Sequence, residues 1–320
     1  MKRKYWTAQE ERFIVKNISK MSIKEFSSHF GVDYFKVVDK IHKMGLNSKQ
    51  ARGVIWCPED DAILKEHFEY APQNYLKELF PDRSWVGIFQ RGLKTLNLQR
   101  QTRDTTYVNY RFFDKWTPES VYVHGFMLAD GHVHLGKDNL FQIELEKDSY
   151  DILQKIKAAM DFKGRIYYLD KRNTYKLQIK NVYLIKRLIE TGVTDKDKSL
   201  RALYPYTTPD CFLRDHIRGI IDGDGWSYID SEGRYNLGLC GTKHVVSTVK
   251  RLLPIDDSMN SIQHYEKNCW RFNFRDKRAL KIASWLYDDS SIYLDKKYNA
   301  YKQAQLMYSP SYGKPCEDRT

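Results

Sequence analysis

The sequence predicts an α+β protein: two pseudo-symmetric αββαββα halves preceded by two small three-helix modules. Three observations lead there. A Trp followed by an acidic helix start recurs at an offset of 50 residues near the front. An apolar helix ending in Asp-Gly recurs farther on, the two copies 94 residues apart. Each copy is followed by strand-like and helix-like patterns in the same order. The expected divisions are modules at 1–50 and 51–98, a basic linker at 99–116, halves at 117–207 and 208–304, and a tail at 305–320.

The chain has 320 residues, 42% of them hydrophobic, which is enough for a sizeable core. No apolar run approaches the ~18 residues of a spanning helix. The opening Met-Lys-Arg-Lys-Tyr-Trp lacks the apolar stretch of a secretion signal, so a cytoplasmic protein without membrane contact is expected. Five cysteines, odd in number and never spaced CxxC, argue against a disulfide framework or a Cys-rich zinc site. They read as buried or idle thiols. Net charge is +12, and residues 1–116 carry +7 of it, from 21 Lys+Arg against 14 Asp+Glu. A basic chain with 23 tyrosines suggests a polyanion partner.

In the front modules, Tyr5-Trp6-Thr7-Ala8-Gln9-Glu10-Glu11 aligns with Ile55-Trp56-Cys57-Pro58-Glu59-Asp60-Asp61. Each segment starts a helix with acidic residues in its first turn, where the positive end of the helix favours them. A second helix at 22–30 carries Ile23, Phe26 and Phe30 on one face, and Gly31-Val32 breaks it. A third, from Asp33 to Met44 and closed by Gly45, places Val37, Val38, Ile41 and Met44 inward, with Lys36, Lys40 and Lys43 outward. The second module repeats the plan, its third helix burying Trp85, Ile88, Phe89 and Leu93 and turning Arg91 and Lys94 out. A tight turn before a basic third helix is the helix-turn-helix plan, and both segments resemble Myb/SANT-like modules. The linker carries Arg100, Arg103 and Arg111, which could follow phosphates.

The longer repeat pairs Val123-His124-Gly125-Phe126-Met127-Leu128-Ala129-Asp130-Gly131 with Ile217-Arg218-Gly219-Ile220-Ile221-Asp222-Gly223-Asp224-Gly225. Gly125 and Ala129, like Gly219 and Gly223, stand four apart on one helix face, giving each helix a smooth strip for close approach. Asp130 and Asp224 follow at helix C-termini, where the partial negative charge disfavours a carboxylate. Packed side by side the two would repel, and a divalent cation relieves both strains. Gly131 and Gly225 are expected to end the helices in the left-handed conformation.

After the first motif, 132–136 and 140–146 read as a hairpin, then a helix at 148–160, strands at 164–169 and 174–179, and a helix at 182–190. The second half follows with strands at 226–229 and 235–240, a helix at 243–253, strands at 261–265 and 269–274, and a helix at 276–287.

Over residues 117–302 the chain resembles the single-chain, two-motif LAGLIDADG homing endonucleases. Leu128 departs from the motif, where the family often has Asp; Asp222 keeps it in the second copy. The resemblance implies a monomer whose two sheets form a DNA-binding saddle, and Mg²⁺-dependent (or Mn²⁺-dependent) cleavage of both strands of a long double-stranded site. Asp130 and Asp224 would hold the metal. Lys198 and Lys297, late in each half, match the family's basic residues, and Glu146 matches the polar residue that orients water. On the strands, Gln142, Glu144, Arg165, Tyr167, Lys176 and Gln178, then Tyr228, Arg234, Asn236, Gln263, Arg271 and Asn273, are candidates to reach base edges. His132 and His134 share a strand face without a third ligand, and a surface role is expected of them. The alternative is a DNA- or RNA-binding maturase or regulator on the same scaffold without cleavage. An intein-embedded nuclease lacks support in the terminal residues, and a purely structural DNA-organising protein would leave the paired motif helices unexplained.

Overall fold

A computed structural model describes residues 5–48, 56–136, 139–194, 202–255 and 261–309. The chain divides into two compact units, Met1–Thr105 and Thr106–Thr320. No helix among the described residues is long and apolar enough to cross a membrane.

The front unit holds two three-helix modules. In the first, α1 (Ala8–Asn17) and α2 (Ile23–Phe30) each begin with a reciprocal capping box, Thr7 with Glu10 and Ser22 with Glu25. Gly31, at φ +61°, makes the turn into α3 (Tyr34–Lys43), which Asp33 caps. Ile14, Ile23, Phe26, Val37 and Ile41 form the core, with Trp6 edge-on to Phe30 at 5.2 Å. The second module has α4 (Pro58–His67), α5 (Gln73–Leu79) and α6 (Trp85–Gln90), the last continued by a π turn, Arg91–Thr95. Cys57 is far from idle here: its sulfur caps α4 by accepting from the Asp60 N–H at 3.4 Å.

The π turn corrects the expected facing of the last helix. The modules align at an offset of 50 at Trp6 and Trp56, 51 at the caps Asp33 and Ser84, and 52 at their left-handed ends, Gly45 (φ +71°) and Asn97 (φ +52°). The π turn absorbs the last extra residue inside the helix. Leu93, expected inside, is therefore exposed. Gly92 is buried in its place, where an added Cβ would stand 2.5 Å from the Phe68 ring.

Three expected phosphate contacts are internal ties instead. Lys40 pairs with Glu11 of α1. Arg91 forks onto Asp61 at 2.8 and 2.6 Å. Arg100 donates to the Phe68 and Ala71 carbonyls and lies 5.1 Å from the Trp85 ring centroid, and burial pushes its pKa down to about 10. Lys36, Lys43, Lys94 and Arg103 remain exposed, Lys43 beside Asp39 at 2.7 Å.

The stretch read as a linker is packed at both ends. The Gln101 N–H donates to the Glu69 carbonyl at 2.8 Å and the Gln73 N–H to the Asp104 carbonyl at 3.0 Å, within the front unit. Val108, Tyr110, Phe112 and Phe113 are core residues of the second unit.

The second unit contains the two αββαββα halves. Half one comprises α7 (Pro118–Ala129), β1 (Gly131–His134), β2 (Leu140–Glu146), α8 (Tyr150–Ala159), β3 (Ile166–Leu169), β4 (Thr174–Ile179) and α9 (Val182–Glu190). Half two comprises α10 (Leu213–Asp224), β5 (Gly225–Ile229), β6 (Tyr235–Gly241), α11 (Lys243–Leu252), β7 (Gln263–Glu266), β8 (Cys269–Arg275) and α12 (Asp276–Tyr287). Both sheets are antiparallel and share one order, β1-β2-β4-β3 and β5-β6-β8-β7. One face of each is buried, by Phe141, Ile143, Leu177 and Ile179 in the first and by Tyr235, Leu237, Leu239, Phe272 and Phe274 in the second. A final helix, α13 (Asp295–Met307), was not legible from periodicity and crosses the expected boundary at 304. It buries Lys297, Tyr301 and Ala304.

Candidate active site

Helices α7 and α10 meet along the glycine strips. A Cβ at Gly125 would stand 2.2 Å from the His216 carbonyl oxygen, and one at Gly219 would stand 2.2 Å from that of Tyr122. These carbonyls are themselves 94 residues apart, so the contact has a local two-fold axis. At its far end Gly223 sits against Ala129, where an added Cβ would be 2.4 Å from the alanine methyl. So close an approach brings both helix C-termini to one place. Asp130 ends α7, its N–H donating to the Phe126 carbonyl at 2.9 Å, and Asp224 is the last residue of α10. Both line one cavity of about 360 Å³, with Leu128, Ala129, Ile220, Cys240 and Thr242.

Gly131 and Gly225 do not take the expected left-handed cap. Gly225 is extended, at φ −100° and ψ −173°, and each glycine is the first residue of a strand. They are required by space: a Cβ on Gly225 would stand 2.6 Å from the Gly238 and Ile221 carbonyls, and one on Gly131 would be 2.6 Å from the Met127 Cα.

Asp222 is buried and works as structure. It accepts from the Tyr122 and Tyr287 hydroxyls, both at 2.7 Å, and from the Leu294 N–H at 2.9 Å. Burial raises its pKa, against the pull of Lys297 and these donors. Lys297 lies behind the helix end. Its ammonium donates to the Ile221, Asp222 and Gly225 carbonyls at 2.7, 2.8 and 2.6 Å, using all three protons. Burial lowers its pKa to about 8, with Asp222, Asp130 and Asp224 opposing the shift. A charge expected to face phosphate is thus spent on the carbonyl end of α10. Lys198 lies outside the described residues. Glu146 is exposed at the end of β2 and lines, with Asp130, Glu144 and Lys297, a wider groove of about 850 Å³. Strand register gives its counterpart in half two, since Gly131 pairs with Ile143 and Gly225 with Leu239. That position is Thr242, whose hydroxyl donates to the Ala202 carbonyl at 2.7 Å.

The open sheet faces carry most of the expected side chains. On sheet one, His132, Gln142 and Gln178 stand in register, as do Glu144, Lys176 and Tyr167. Glu144 is held by Thr174 at 2.9 Å and Arg172 at 3.2 Å, and Arg165 is exposed just before β3. On sheet two, Asn236 is buried, contrary to expectation, and its amide is committed to Asp230 and the Arg234 carbonyl. Asn273 bridges it to the Trp226 indole N–H, at 3.2 and 2.8 Å. Arg234 pairs with Asp230 at 3.0 Å and Glu232 at 2.7 Å. Arg271 stacks 4.5 Å from the Tyr265 ring centroid, over a groove of about 910 Å³ that Arg275 and Arg278 also line. Those last two arginines were missed, although strand alternation from Arg271 through Asn273 reaches Arg275.

Solved structures similar to this chain include the I-LtrWI LAGLIDADG homing endonuclease bound to target DNA, at 12% identity and TM-score 0.43, covering 62% of this chain and 90% of that one. I-GzeII in complex with its DNA target is 13% identical, at TM-score 0.42, covering 62% and 94%. I-SmaMI bound to uncleaved DNA with calcium ions is 12% identical, at TM-score 0.39, covering 60% and 92%. The chain is similar to LAGLIDADG homing endonucleases. No family model and no curated protein matches the sequence.

The LAGLIDADG-like helix pair also buries a pair of imidazoles. His124 Nδ1 and His216 Nε2 are 2.9 Å apart, and His216 Nδ1 is 3.1 Å from the Tyr204 hydroxyl. Burial pushes His124 down to about 4, and burial together with the His124 ring pushes His216 well below its ordinary value. An unfolded chain would bind protons at these two sites from about pH 6.5 downward, while the folded one resists. Their contribution is therefore fully present above pH 6.5 and is lost as pH falls toward 4, by about 3 kcal/mol for His124 alone. Urea melts between pH 7 and 4.5 should show this loss, and His216→Gln should flatten it. An unchanged slope in that variant would remove the pair as its source.

Proposed function

We propose that the chain is a site-specific DNA endonuclease of the homing type, a monomer that makes a metal-dependent double-strand break in a long target. The observation that carries this reading is the glycine-lined helix pair, which delivers Asp130 and Asp224 to one cavity in a unit built of two halves with sheets of identical topology. The donors suit a hard cation. Two carboxylates line the cavity, and the nearby Cys240 thiol is engaged with the Asp224 carbonyl, to which it donates at 3.2 Å. No cluster of three or more His, Cys, Asp or Glu groups that could hold a metal exists among the described residues, so water and phosphate oxygens would complete the shell, as Mg²⁺ tolerates. Mg²⁺ or Mn²⁺ held by Asp130 and Asp224 would supply an activated water and stabilise charge on the phosphate.

The chain's own residues do the rest. Glu146 orients water at the groove it shares with Asp130. Lys297 fixes the end of α10 and so the position of Asp224; Lys198, outside the described residues, is proposed to counter charge on the phosphate. Gln142, Lys176 and Gln178 in one sheet with Arg165 just before β3, and Arg271 in the other with Arg234 just before β6, contact the duplex. The front modules act as helix-turn-helix units that add affinity through Lys36, Lys43, Lys94 and Arg103.

The test is a library of long duplexes incubated with the full chain and Mg²⁺ or Mn²⁺, with and without chelator. Chelator-sensitive breaks at a recurring sequence are expected. Specific binding without cutting under either metal would instead favour the maturase or regulator reading.

A further inference from the structure

The third helices of the two front modules match in their outward stripe as well as their cores. In α3 the exposed residues are Tyr34, Phe35, Lys36, Asp39, His42 and Lys43; along α6 and its π turn they are Val86, Gln90, Leu93, Lys94 and Thr95. At the second position after each cap, Asp33 and Ser84, stands a large apolar side chain in open solvent. Phe35 is 74% exposed and Val86 65%. The same placement occurs at the equivalent position of both modules, and an apolar group left in water gains nothing for the fold. Tyr34 braces Phe35 edge-on at 5.5 Å.

The surroundings select the occupant. Each apolar group is followed, two turns on, by a lysine at the same offset, Lys43 and Lys94, and Lys36 adjoins Phe35. The surface thus offers cations spaced along a helix that starts with a bare apolar group. A major groove presents the complement, phosphates on its rims and, on its floor, one apolar group, the thymine methyl. Residues at the start of the last helix of such modules are the ones that reach base edges.

We infer that Phe35 and Val86 are thymine-reading residues, each packing against a thymine C5 methyl in the major groove. This rests on the reading of the front modules as DNA-binding. The test uses duplexes selected by the full chain from a long random library, resynthesised with deoxyuridine in place of thymidine. Wild-type affinity should fall about fourfold for each of the two contacted methyls, the equivalent of about 0.8 kcal/mol apiece. The variant Phe35→Ser/Val86→Ser should bind both pools alike. Wild-type binding indifferent to the methyl, or a preference that survives the double variant, overturns the inference. A second variant, Lys36→Gln/Lys94→Gln, tests the underlying reading: it should weaken binding and flatten its salt dependence. If it changes neither, the front modules do not bind DNA and the inference falls with them. All four side chains are exposed, so an unchanged melt is expected of both variants.

Discussion

Asp130→Asn and Asp224→Asn are each expected to reduce cleavage by about 10²–10³-fold or more, the loss usual when a key electrostatic group leaves a reaction centre. Neither change should damage the fold. Asp130 is exposed at the end of its helix, and an amide there relieves the clash of a carboxylate with the helix's negative end. Binding measured without metal should hold or tighten, because removing a negative charge beside phosphates removes repulsion. Nicking and gel-shift assays on one duplex separate the two effects. Asp222→Asn supplies the contrast. Its side chain receives three donors in a dry site, so an amide should cost about 1–3 kcal/mol of stability while leaving the chemistry of the intact fraction unchanged. Asn variants of Asp130 and Asp224 that cut as fast as wild type would end the proposal that these carboxylates run the reaction.

Gly219→Val should cost about 3 kcal/mol or more, at the upper end for overpacking. Its first added carbon would already stand 2.2 Å from the Tyr122 carbonyl and 2.9 Å from the Phe126 nitrogen. Both are backbone atoms of a buried helix, so neither can rotate away. The helices must separate, which also pulls Asp130 from Asp224. Denaturant unfolding should show the loss, and cleavage should fall further than the folded fraction alone explains. Gly87→Ala, where the nearest atom is the Ser84 hydroxyl at 3.3 Å, should be tolerated. Equal stability of Gly219→Val and wild type would mean that the close approach does not hold the core together.

The sequence made the architecture legible because its signals there are local. Period-2 alternation located β4 to the residue, and glycines four apart announced the α7–α10 contact. What it could not reveal was which charges are already spoken for. Lys40, Arg91 and Arg100 sit at positions where a helix or loop should be wet, and each is claimed by a partner about thirty residues away. Asn236 alternates correctly with its neighbours yet belongs to the Asp230–Arg234 turn. Leu93 was misread because a π turn shifts the phase by one residue, and nothing in composition marks such a turn. Lys297 illustrates the same limit at the centre: its position in sequence suggested the active site, but only packing reveals that its protons go to carbonyls. Helix α13 escaped because its run of Lys, Tyr, Asn and Gln has little apolar contrast.

The local two-fold axis between α7 and α10 is kept by the backbone and broken by the side chains. Positions 94 apart hold Tyr122 and His216, His124 and Arg218, Leu128 and Asp222. Two copies of half one would face the Tyr122 phenol toward a leucine, and two copies of half two would face Asp222 toward a histidine. Each half is thus a poor mate for itself and a good one for the other. Expressed as separate polypeptides, the halves should find one another in preference to their own kind, an obligate pairing of unlike siblings written into three side-chain pairs.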